Sequence, residues 1–301
     1  MEPLVSVIIP TYGRSEFLCR CIDSVLRQEY PNFEVIVVDD NEPDSMDRNA
    51  TTDRLRQYDD KRLKYIKHDR NRERSAARNS GIAASLGTYV MFLDNDDEFL
   101  PGKVSAQVKY MSTHSNEFSC CYTRYIRINK HGKVTMYCAE TREGSLQEEA
   151  LKRNLFIHAG SNLMVRRTAL ERSGGFDTRI SANEDIEFLA RLLDNHSVGF
   201  VDHLGLVVHV DESNENTDCE SILKNYIMVI KPLLDVRSND SGERIFMFFS
   251  LQHIRFHLQK GQFGVAIKEA HDMKISTLKL VRYLIYLLLR KLRKNSYGFS
   301  G

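Results

Sequence analysis

The chain has 301 residues, 42% of them hydrophobic, which is enough to bury the core of one large α/β domain with an additional region. Its 42 basic and 41 acidic residues nearly cancel, which argues against a nucleic-acid partner held by a broad basic surface. The six cysteines form no CxxC pair, the amino terminus shows no signal-peptide pattern, and no apolar run reaches the roughly 18–20 residues needed to cross a bilayer. We therefore expect a cytoplasmic protein with reduced thiols.

Short apolar segments alternate with helical patterns in the first hundred residues. The pattern predicts strands at 5–9, 33–38, 63–66 and 89–93, with helices that begin at Ser15 and span 75–86. Strands without polar alternation, separated by helices, indicate a parallel sheet with both faces covered. Ligands bind beyond the carboxyl ends of such strands. We therefore expect three polar clusters to converge on one crevice, at 11–14, 39–40 and 94–97.

The rest of the chain shows a mixed pattern. It predicts strands at 118–128 and 133–138 and a helix at 146–153. From about residue 220 the pattern is helical to the end, and the segment 278–294 combines an apolar centre with six basic residues. The last part therefore differs in character from the first two hundred residues.

The acidic segment Asp94–Asp97 follows directly after an apolar strand. Carboxylates at a strand end can turn toward a shared ion, and hard oxygen ligands suit Mg²⁺ or Mn²⁺. A metal held there would stabilise charge on a departing diphosphate. The alternative is an ordinary turn or helix cap, because Asp and Asn favour both.

A second acidic group, 183–185, precedes an apolar helical stripe. One of its carboxylates, Glu184 or Asp185, is a candidate base for an attacking hydroxyl. The alternative is a favourable interaction with the helix dipole.

Gly175 and its neighbour Gly174 allow a tight turn or a close backbone approach to a ligand. His209 follows an apolar run and is a candidate metal ligand, although a lone histidine is more often structural.

Six segments, in chain order, carry a resemblance to a known family: V-S-V-I-I-P-T-Y at 5–12, V-I-V-V-D-D at 35–40, A-R-N-S-G at 77–81, F-L-D-N-D-D at 92–97, G-G-F-D at 174–177 and E-D at 184–185. Together they resemble the family 2 glycosyltransferases, of the bacterial surface-polysaccharide type. The resemblance implies a GT-A fold, which is an α/β, Rossmann-like nucleotide-diphospho-sugar transferase fold with a mostly parallel central sheet. It also implies inverting transfer from a nucleotide-sugar, normally a UDP-sugar, with Mn²⁺ or Mg²⁺ as cofactor.

The positions of these motifs imply roles for individual residues. The residues expected to contact the nucleotide-sugar are Pro10, Thr11, Tyr12, Arg14, Asp40, Arg78, Asp94 and Asn95. The expected metal ligands are Asp96 and His209. Asp185, the second residue of the acidic pair, is the expected catalytic base. The acceptor side is expected to include Glu184, Asn162 and Gly175.

The resemblance divides the chain into a catalytic domain at 1–215 and a helical C-terminal region at 216–301. Residues 1–100 form the expected nucleotide-sugar-binding half and 101–215 the acceptor half. The helix at 278–294 is too short and too charged to span a bilayer, but a basic, apolar-rich helix can lie in an anionic membrane interface. The alternative is a helix packed on the catalytic domain with a solvated basic face. We expect peripheral attachment to the cytoplasmic face of the membrane, where the acceptor would be a glycan or lipid-linked glycan.

The chain departs from the family at two points. Gly13 stands where the family often has Asn, and the absence of tryptophan departs from processive members. The second departure favours addition of a single sugar over polymerisation.

Three other interpretations stay open. A phosphatase of the haloacid-dehalogenase type would use Asp94 as nucleophile and Asp96 as acid and base, although Glu98 departs from its motif. A sugar-phosphate nucleotidyltransferase would need a first loop richer in glycine. The third is a degenerate protein that binds a nucleotide-sugar or glycan without catalysis.

Overall fold

The structure is a computed structural model that describes residues 2–114, 116–210, 219–235 and 239–299. Its strands are β1 (Val5–Thr11), β2 (Phe33–Asp39), β3 (Leu63–Lys67), β4 (Tyr89–Phe92), β5 (Glu98–Phe99), β6 (Phe118–Asn129), β7 (Val134–Cys138), β8 (Met164–Arg166), β9 (Ser197–Val210) and β10 (Asn295–Ser296). Its helices are α1 (Ser15–Leu26), α2 (Met46–Leu55), α3 (Glu73–Ala84), α4 (Lys103–Thr113), α5 (Gln147–Leu151), α6 (Ala159–Asn162), α7 (Arg167–Ser173), α8 (Glu184–Leu192), α9 (Cys219–Asp235), α10 (Asn239–Gln259), α11 (Phe263–Asp272) and α12 (Thr277–Arg293).

Four parallel strands form the first half of the sheet, in the order β4-β1-β2-β3. Every residue of β1, β2 and β4 is buried, as expected for strands covered on both faces. Thr11 pairs with Asp39, so the polar ends of β1 and β2 lie side by side. The predicted parallel α/β sheet is confirmed. The helix predicted at 75–86 instead begins at Glu73 and ends at Ala84, because Ser85 has an extended backbone.

The second half of the sheet is mixed. β8 is antiparallel to β4 and β6, and β7 is antiparallel to β6, whereas β9 runs parallel to β6 along its length. The register of β6 and β9 shifts around Arg124, and such irregularities bend a strand pair. The last part of β9 also pairs with β5. This pairing brings the end of β9 beside the segment that follows Asp94–Asp97.

Two apolar layers cover the sheet, and consecutive residues of β1 belong to opposite layers. Val7 packs in the layer that contains Ile22 of α1, and Ile8 packs in the layer that contains Phe92 and Phe188. The rings of Phe92 and Phe188 meet edge to face at 6.0 Å. Burial of one such side chain contributes about 1.5–3 kcal/mol. This packing fixes the position of α8 relative to the end of β4.

The C-terminal region is not helical to its last described residue, so that prediction was wrong. β10 adds a parallel strand to the edge of the sheet at β7. The amide nitrogens of Tyr137 and Ala139 donate to the carbonyl oxygens of Lys294 (2.7 Å) and Ser296 (2.9 Å). A polar strand of two residues leaves no periodic pattern, which is why the sequence did not predict it.

The helix predicted at 278–294 is α12, and one of its faces packs against the protein. Tyr283 and Tyr286 are buried and contact the ring of Phe299. Among the residues described above, none of the helices combines the length and the apolarity that a membrane crossing requires. The predicted boundary at 215/216 lies outside the described residues, and the division into two parts stays a prediction.

Candidate active site

A crevice of about 590 Å³ opens beyond the carboxyl ends of β1, β2 and β4. This volume is typical of small-molecule sites, which range over roughly 300–1,000 Å³. The lining residues that the sequence had singled out are Pro10, Thr11, Tyr12, Arg14, Asp40, Asp94, Asn95 and Asp96. The others are Asn71, Glu73, Arg74, Ala77 and Ser181. The three polar strand ends therefore meet at one crevice.

The loop after β1 turns sharply and is tied to both neighbouring strands. Gly13 and Arg14 have positive φ values of 58° and 48°, a region that glycine adopts without strain. The amide nitrogen of Gly13 donates to Oδ1 of Asn41, after β2, at 2.7 Å. Nδ2 of Asn95, after β4, donates to Oγ1 of Thr11 at 2.9 Å. These bonds hold the loop in place at the mouth of the crevice.

Asp96 lies after β4, between the acidic residues Asp94 and Asp97. Its Oδ2 accepts a hydrogen bond from Nη1 of Arg14 at 3.1 Å, and its side chain is 25% exposed. Burial, followed by the negative charges of Asp97 and Asp94, raises the pKa of Asp96 above its usual value. A bound cation would relieve this repulsion.

Arg78 of α3 is almost fully buried and bridges two carboxylates. Its Nη2 donates to Oδ1 of Asp94 at 2.8 Å and its Nη1 donates to Oε1 of Glu184 at 2.7 Å. Arg74, one helical turn earlier, lies 3.5 Å from the same oxygen of Glu184. Burial alone raises the pKa of Asp94, but the charges of Arg78 and Arg74 outweigh it and hold that pKa below its usual value. Asp94 is therefore kept ionised.

Asp185 stands in the first turn of α8, and its carboxylate makes no hydrogen bond or ion pair with any part of the chain that the structure describes. A Cβ atom at Gly160 would stand 3.4 Å from Oδ2 of Asp94 and 3.7 Å from Oδ2 of Asp185. Both oxygens thus approach one point, and glycine leaves that space open. Burial, followed by the charge of Glu184, raises the pKa of Asp185. An unpaired carboxylate with a raised pKa is well suited to accept a proton.

The imidazole of His209 contacts Glu98 in this structure. Its Nε2 lies 2.5 Å from Oε1 of Glu98, and its amide nitrogen donates to Oδ1 of Asp97. Within the described ranges, the ligand atoms of Asp94, Asp96 and His209 are not gathered within 4.8 Å of one another. The pairing of β5 with β9 brings Glu98 near the imidazole, and the role of His209 as a metal ligand stays a prediction.

The acidic segment has the donor chemistry of a Mn²⁺ or Mg²⁺ site. Its carboxylate oxygens are hard ligands, and the mutual repulsion at Asp96 favours a cation. Asp96 is the residue that would hold the ion, because Arg78 and Arg74 lower the pKa of Asp94, whereas the pKa of Asp96 is raised and its charge is less compensated. Asp94 keeps its Oδ2 for a further partner at the crevice.

Asp40 is buried at the end of β2 and is held by its own partners. Its Oδ1 contacts Nδ1 of His68 at 2.6 Å and accepts from the amide nitrogen of Arg72 at 2.8 Å. The preceding residue, Asp39, is fully buried and accepts a hydrogen bond from the Tyr65 hydroxyl. Of the two carboxylates, Asp40 lines the crevice and Asp39 stabilises the loop beside it.

Two residues expected on the acceptor side lie away from the crevice. Asn162 is fully buried, and its Oδ1 accepts from Nζ of Lys103 at 2.6 Å and from Oγ1 of Thr123 at 2.7 Å. Because its amide group is hydrogen-bonded within the core, Asn162 supports the acceptor side without lining it. Gly175 packs against Asn79, where a Cβ atom would stand 2.3 Å from Oδ1, and it borders a separate depression.

Sequence reasoning assigned no individual role to several residues at the site. Arg74 and Ser181 line the crevice, a Cβ atom at Gly160 would approach both carboxylates, and Nε2 of His158 lies 3.0 Å from Oδ2 of Asp97. The spacing of Arg74 and Arg78 on one helical face was a usable signal for the first of these. The segment around Gly160 carries no periodic pattern, so its position depends on tertiary packing alone.

Residues 6–174 match the model of glycosyl transferase family 2, and the chain belongs to this family. The putative teichuronic acid biosynthesis glycosyltransferase TuaG of Bacillus subtilis is 33% identical over 156 residues, covering 51% of this chain and 59% of that protein. The putative colanic acid biosynthesis glycosyl transferase WcaA of Escherichia coli is 36% identical over 130 residues, covering 40% and 44%. An uncharacterized glycosyltransferase of Rickettsia felis is 40% identical over 129 residues, or 43% of this chain and 20% of that protein. The similarity thus spans only part of these relatives.

Two solved structures show the same fold. Staphylococcus aureus TarS 1-349, in complex with UDP-GlcNAc, has a TM-score of 0.65 at 19% identity, covering 96% of this chain and 81% of that chain. The mannosyltransferase PcManGT from Pyrobaculum calidifontis, in complex with GDP-Man and Mn²⁺, has a TM-score of 0.56 at 15% identity, covering 97% and 88%. Together with the family match, they confirm the α/β fold that the sequence motifs imply.

Proposed function

We propose that the chain transfers one sugar from a UDP-sugar to an acceptor hydroxyl, with inversion at the anomeric carbon, during synthesis of a bacterial surface polysaccharide. The observation that carries this proposal is the approach of two carboxylate oxygens, from Asp94 and Asp185, to the open space at Gly160. One of these carboxylates is ion-paired and the other is unpaired. We assign the ion-paired Asp94 to the donor and the unpaired Asp185 to the role of base.

The acceptor hydroxyl would lose its proton to Asp185 as it attacks the anomeric carbon. A proton acceptor works best when its pKa is near the working pH. The raised pKa of Asp185 therefore makes its carboxylate a better base than an ordinary aspartate. Arg78 and Glu184 hold the neighbouring groups in position through their buried contact. Positioning of this kind lowers the entropic part of the barrier.

The donor would lie along the first loop. Tyr12, 59% exposed beside the crevice, offers an aromatic ring against which a base can stack. Asp40 has a carboxylate that can accept the N3–H of uracil. Arg14 and Arg74 line the same crevice and bring positive charge to a diphosphate. When bound at Asp96, Mn²⁺ or Mg²⁺ supplies a Lewis acid that stabilises charge on the departing diphosphate.

The class of product is proposed from the relatives. TuaG and WcaA are named for teichuronic acid and colanic acid biosynthesis, and TarS was solved with UDP-GlcNAc. These names favour a glycan or lipid-linked glycan acceptor and a UDP-sugar donor. PcManGT was solved with GDP-Man, so the donor experiment must include GDP-sugars.

Peripheral membrane attachment is the second part of the proposal. α12 exposes one apolar stripe, with 70% exposure at Leu278, 51% at Ile285, 56% at Leu288 and 70% at Leu292. Their spacings of seven, three and four residues place them on one face, opposite the buried tyrosines. Basic side chains accompany the stripe in the last turn of the helix. An apolar stripe with basic neighbours is complementary to an anionic lipid surface.

The proposed transfer is tested by release of UDP or GDP from a panel of nucleotide-sugars, with added Mn²⁺ and with EDTA as control. We expect metal-dependent release from one sugar, because slow hydrolysis reports the donor before the acceptor is known. Release that continues in EDTA would contradict the metal requirement. If no sugar is cleaved but calorimetry shows UDP binding, the non-catalytic binding protein is favoured instead.

A further inference from the structure

A cluster of two histidines and a glutamate joins α10 to α11, outside the crevice. His253 and His257 are four residues apart on α10 and therefore share a face. Glu269 approaches them from α11. One ligand atom from each of the three residues lies within 4.8 Å of the other two.

The contacts of the cluster leave nitrogen lone pairs available. Nδ1 of His257 lies 2.6 Å from Oε1 of Gln262, an oxygen that can only accept, so Nδ1 carries the hydrogen and Nε2 keeps its lone pair. Nδ1 of His253 lies 2.9 Å from both carboxylate oxygens of Glu269. At His257, such an outer partner on Nδ1 is the usual arrangement of a histidine that binds a metal through Nε2, whereas His253 and Glu269 are two candidate ligands already in contact.

Nε2 of His253 is buried without a hydrogen-bond partner in the described part of the chain. Oε2 of Glu269 is buried as well, and its contact there is the ion pair with Nδ1 of His253 at 2.9 Å. Buried polar atoms are nearly always satisfied, and a bound ion is one of the recognised explanations for an exception. A cation held between Nδ1 of His253 and the Glu269 carboxylate would give that carboxylate a further partner.

We propose that His253, His257 and Glu269 bind one divalent transition-metal ion of the Zn²⁺ type. Imidazole nitrogen favours Zn²⁺, Co²⁺ and Ni²⁺ over Mg²⁺ and Mn²⁺, and two histidines with one glutamate are an established ligand set for Zn²⁺. Ligand atoms bound tetrahedrally at about 2.0–2.1 Å lie about 3.4 Å apart. The ligand atoms, which lie within 4.8 Å of one another, therefore need to approach by at most about 1.4 Å, within the reach of side-chain rotation. Water can occupy the fourth position.

The ion would fasten α11 to α10. The apolar contact between these helices is small, with Ile254, Ala266 and Ala270 as its buried residues. A ligand that binds only the folded state stabilises that state, and a metal shared by two helices does so at their junction. The site differs in chemistry from the crevice, where the candidate ligands are carboxylates. The two sites can therefore be tested separately.

The test uses the full chain carrying Asp96→Ala, which removes the candidate ligand in the crevice. Zn²⁺ alone is titrated by calorimetry, and Co²⁺ binding is followed by visible absorption. We expect one equivalent to bind and to raise the melting temperature. Glu269→Gln keeps the size of the side chain and should weaken Zn²⁺ binding at least about 10-fold, and His257→Ala should abolish it.

His271→Ala is the matched control, because His271 lies on α11 beside the cluster and its side chain is 90% exposed. It should leave both stoichiometry and affinity unchanged. Circular dichroism confirms that each variant is folded before titration. The proposal is overturned if the folded Asp96→Ala chain binds no Zn²⁺, or if Glu269→Gln and His257→Ala bind it as tightly as the control.

Discussion

Nη1 of Arg78 lies 2.7 Å from Oε1 of Glu184, and the two side chains are only 1% and 5% exposed. Arg78 belongs to α3, in the first half of the chain, and Glu184 begins α8 in the second half. The same guanidinium holds Asp94 at the end of β4. One buried cation thus fixes the spacing between the donor side and the proposed base, Asp185.

Arg78→Lys should damage both stability and turnover. An ammonium keeps the charge but cannot present the planar fork that reaches two carboxylates at once. We expect the free energy of unfolding to fall by about 1–3 kcal/mol, as for loss of a hydrogen bond to a charged group. Urea unfolding and UDP release measure the two effects. Arg27→Lys, in an exposed pair on α1, is the control and should change the unfolding free energy by less than about 0.5 kcal/mol.

Asp185→Asn should separate binding from transfer. The amide keeps the size of the side chain but cannot take the proton of the acceptor. Since general-base catalysis contributes about 10²–10⁴-fold, turnover should fall by that factor while UDP affinity stays within about twofold. Calorimetric titration with UDP and an acceptor-dependent transfer assay provide the two readouts. Near-normal turnover in the variant would remove Asp185 from the role of base.

The dependence of kcat/KM on pH should reflect the raised pKa of Asp185. The base acts in its deprotonated form, so kcat/KM should rise with pH, with its midpoint above the usual aspartate value of about 3.9. Burial is the first cause of this shift and the charge of Glu184 is the second. Glu184→Gln should therefore move the midpoint to lower pH. A midpoint that moves upward, or does not move, would contradict this assignment.

Lys103 should make the stability of the fold depend on pH. Its ammonium is fully buried, and burial lowers its pKa to about 7, against about 10.4 in the unfolded chain. Between pH 7 and about 10.4 the unfolded state binds more protons than the folded state. The free-energy penalty for burying the Lys103 charge is therefore full at pH 7 and below, and it vanishes as the pH rises toward about 10.4.

Lys103→Met removes this penalty. The unfolding free energy of the variant minus that of the parent should therefore decrease by up to about 1.4 kcal/mol per pH unit from pH 7 upward. Urea unfolding at several pH values between about 7 and 10 measures the difference, in which the titration of the buried thiols largely cancels. Lys109→Met, at an exposed position of α4, should show no such trend. A flat difference for Lys103→Met would show that its pKa is not lowered.

The apolar stripe of α12 should govern lipid binding. Ile285→Gln with Leu288→Gln should reduce partitioning to vesicles that contain phosphatidylglycerol by at least about 10-fold, because two partly exposed aliphatic side chains lose their apolar contact. Leu86→Gln, with 74% exposure before β4, is the control. Unchanged partitioning would exclude this face. If light scattering instead shows that the parent is a dimer and the double variant a monomer, a second copy of the chain covers the stripe.

Substitution is preferable to deletion of 278–301 in this experiment. Deletion would also remove β10 and two hydrogen bonds between Phe299 and Asn154. The amide nitrogen of Phe299 donates to Oδ1 of Asn154 at 2.7 Å, and Nδ2 of Asn154 donates to the carbonyl oxygen of Phe299 at 2.9 Å. Loss of β10 would expose the edge of the sheet at β7. A deletion would therefore disturb the fold as well as the lipid-binding face.

The first half of the fold could be predicted because its signals are local. Fully apolar strands, each followed by polar residues, define the parallel sheet and the edge where its ligand lies. Thr11, Asp40 and Asp94 were found in this way, since the geometry of a parallel sheet brings strand ends together. The family motifs added the expected roles of these residues, which local patterns alone do not contain.

The second half depended on contacts between distant residues. The pairing of β5 with β9 gives His209 a partner in Glu98, and nothing in the sequence near His209 indicates it. Asn162 is polar and was expected at the surface of a pocket, but Lys103 and Thr123 satisfy its amide inside the core. Buried polar networks of this kind break the usual link between polarity and exposure.

The hydrogen bonds between β7 and β10 give the molecule an internal reporter. The amides of Tyr137 and Ala139 donate to carbonyl oxygens of residues that directly follow α12. Amide hydrogen exchange at these two positions would therefore speed up whenever the end of the chain detaches, while exchange in β1 and β2 would stay slow. In the presence of membranes, the same two signals can show whether α12 binds lipid while β10 stays paired with β7, or whether β10 detaches when α12 binds.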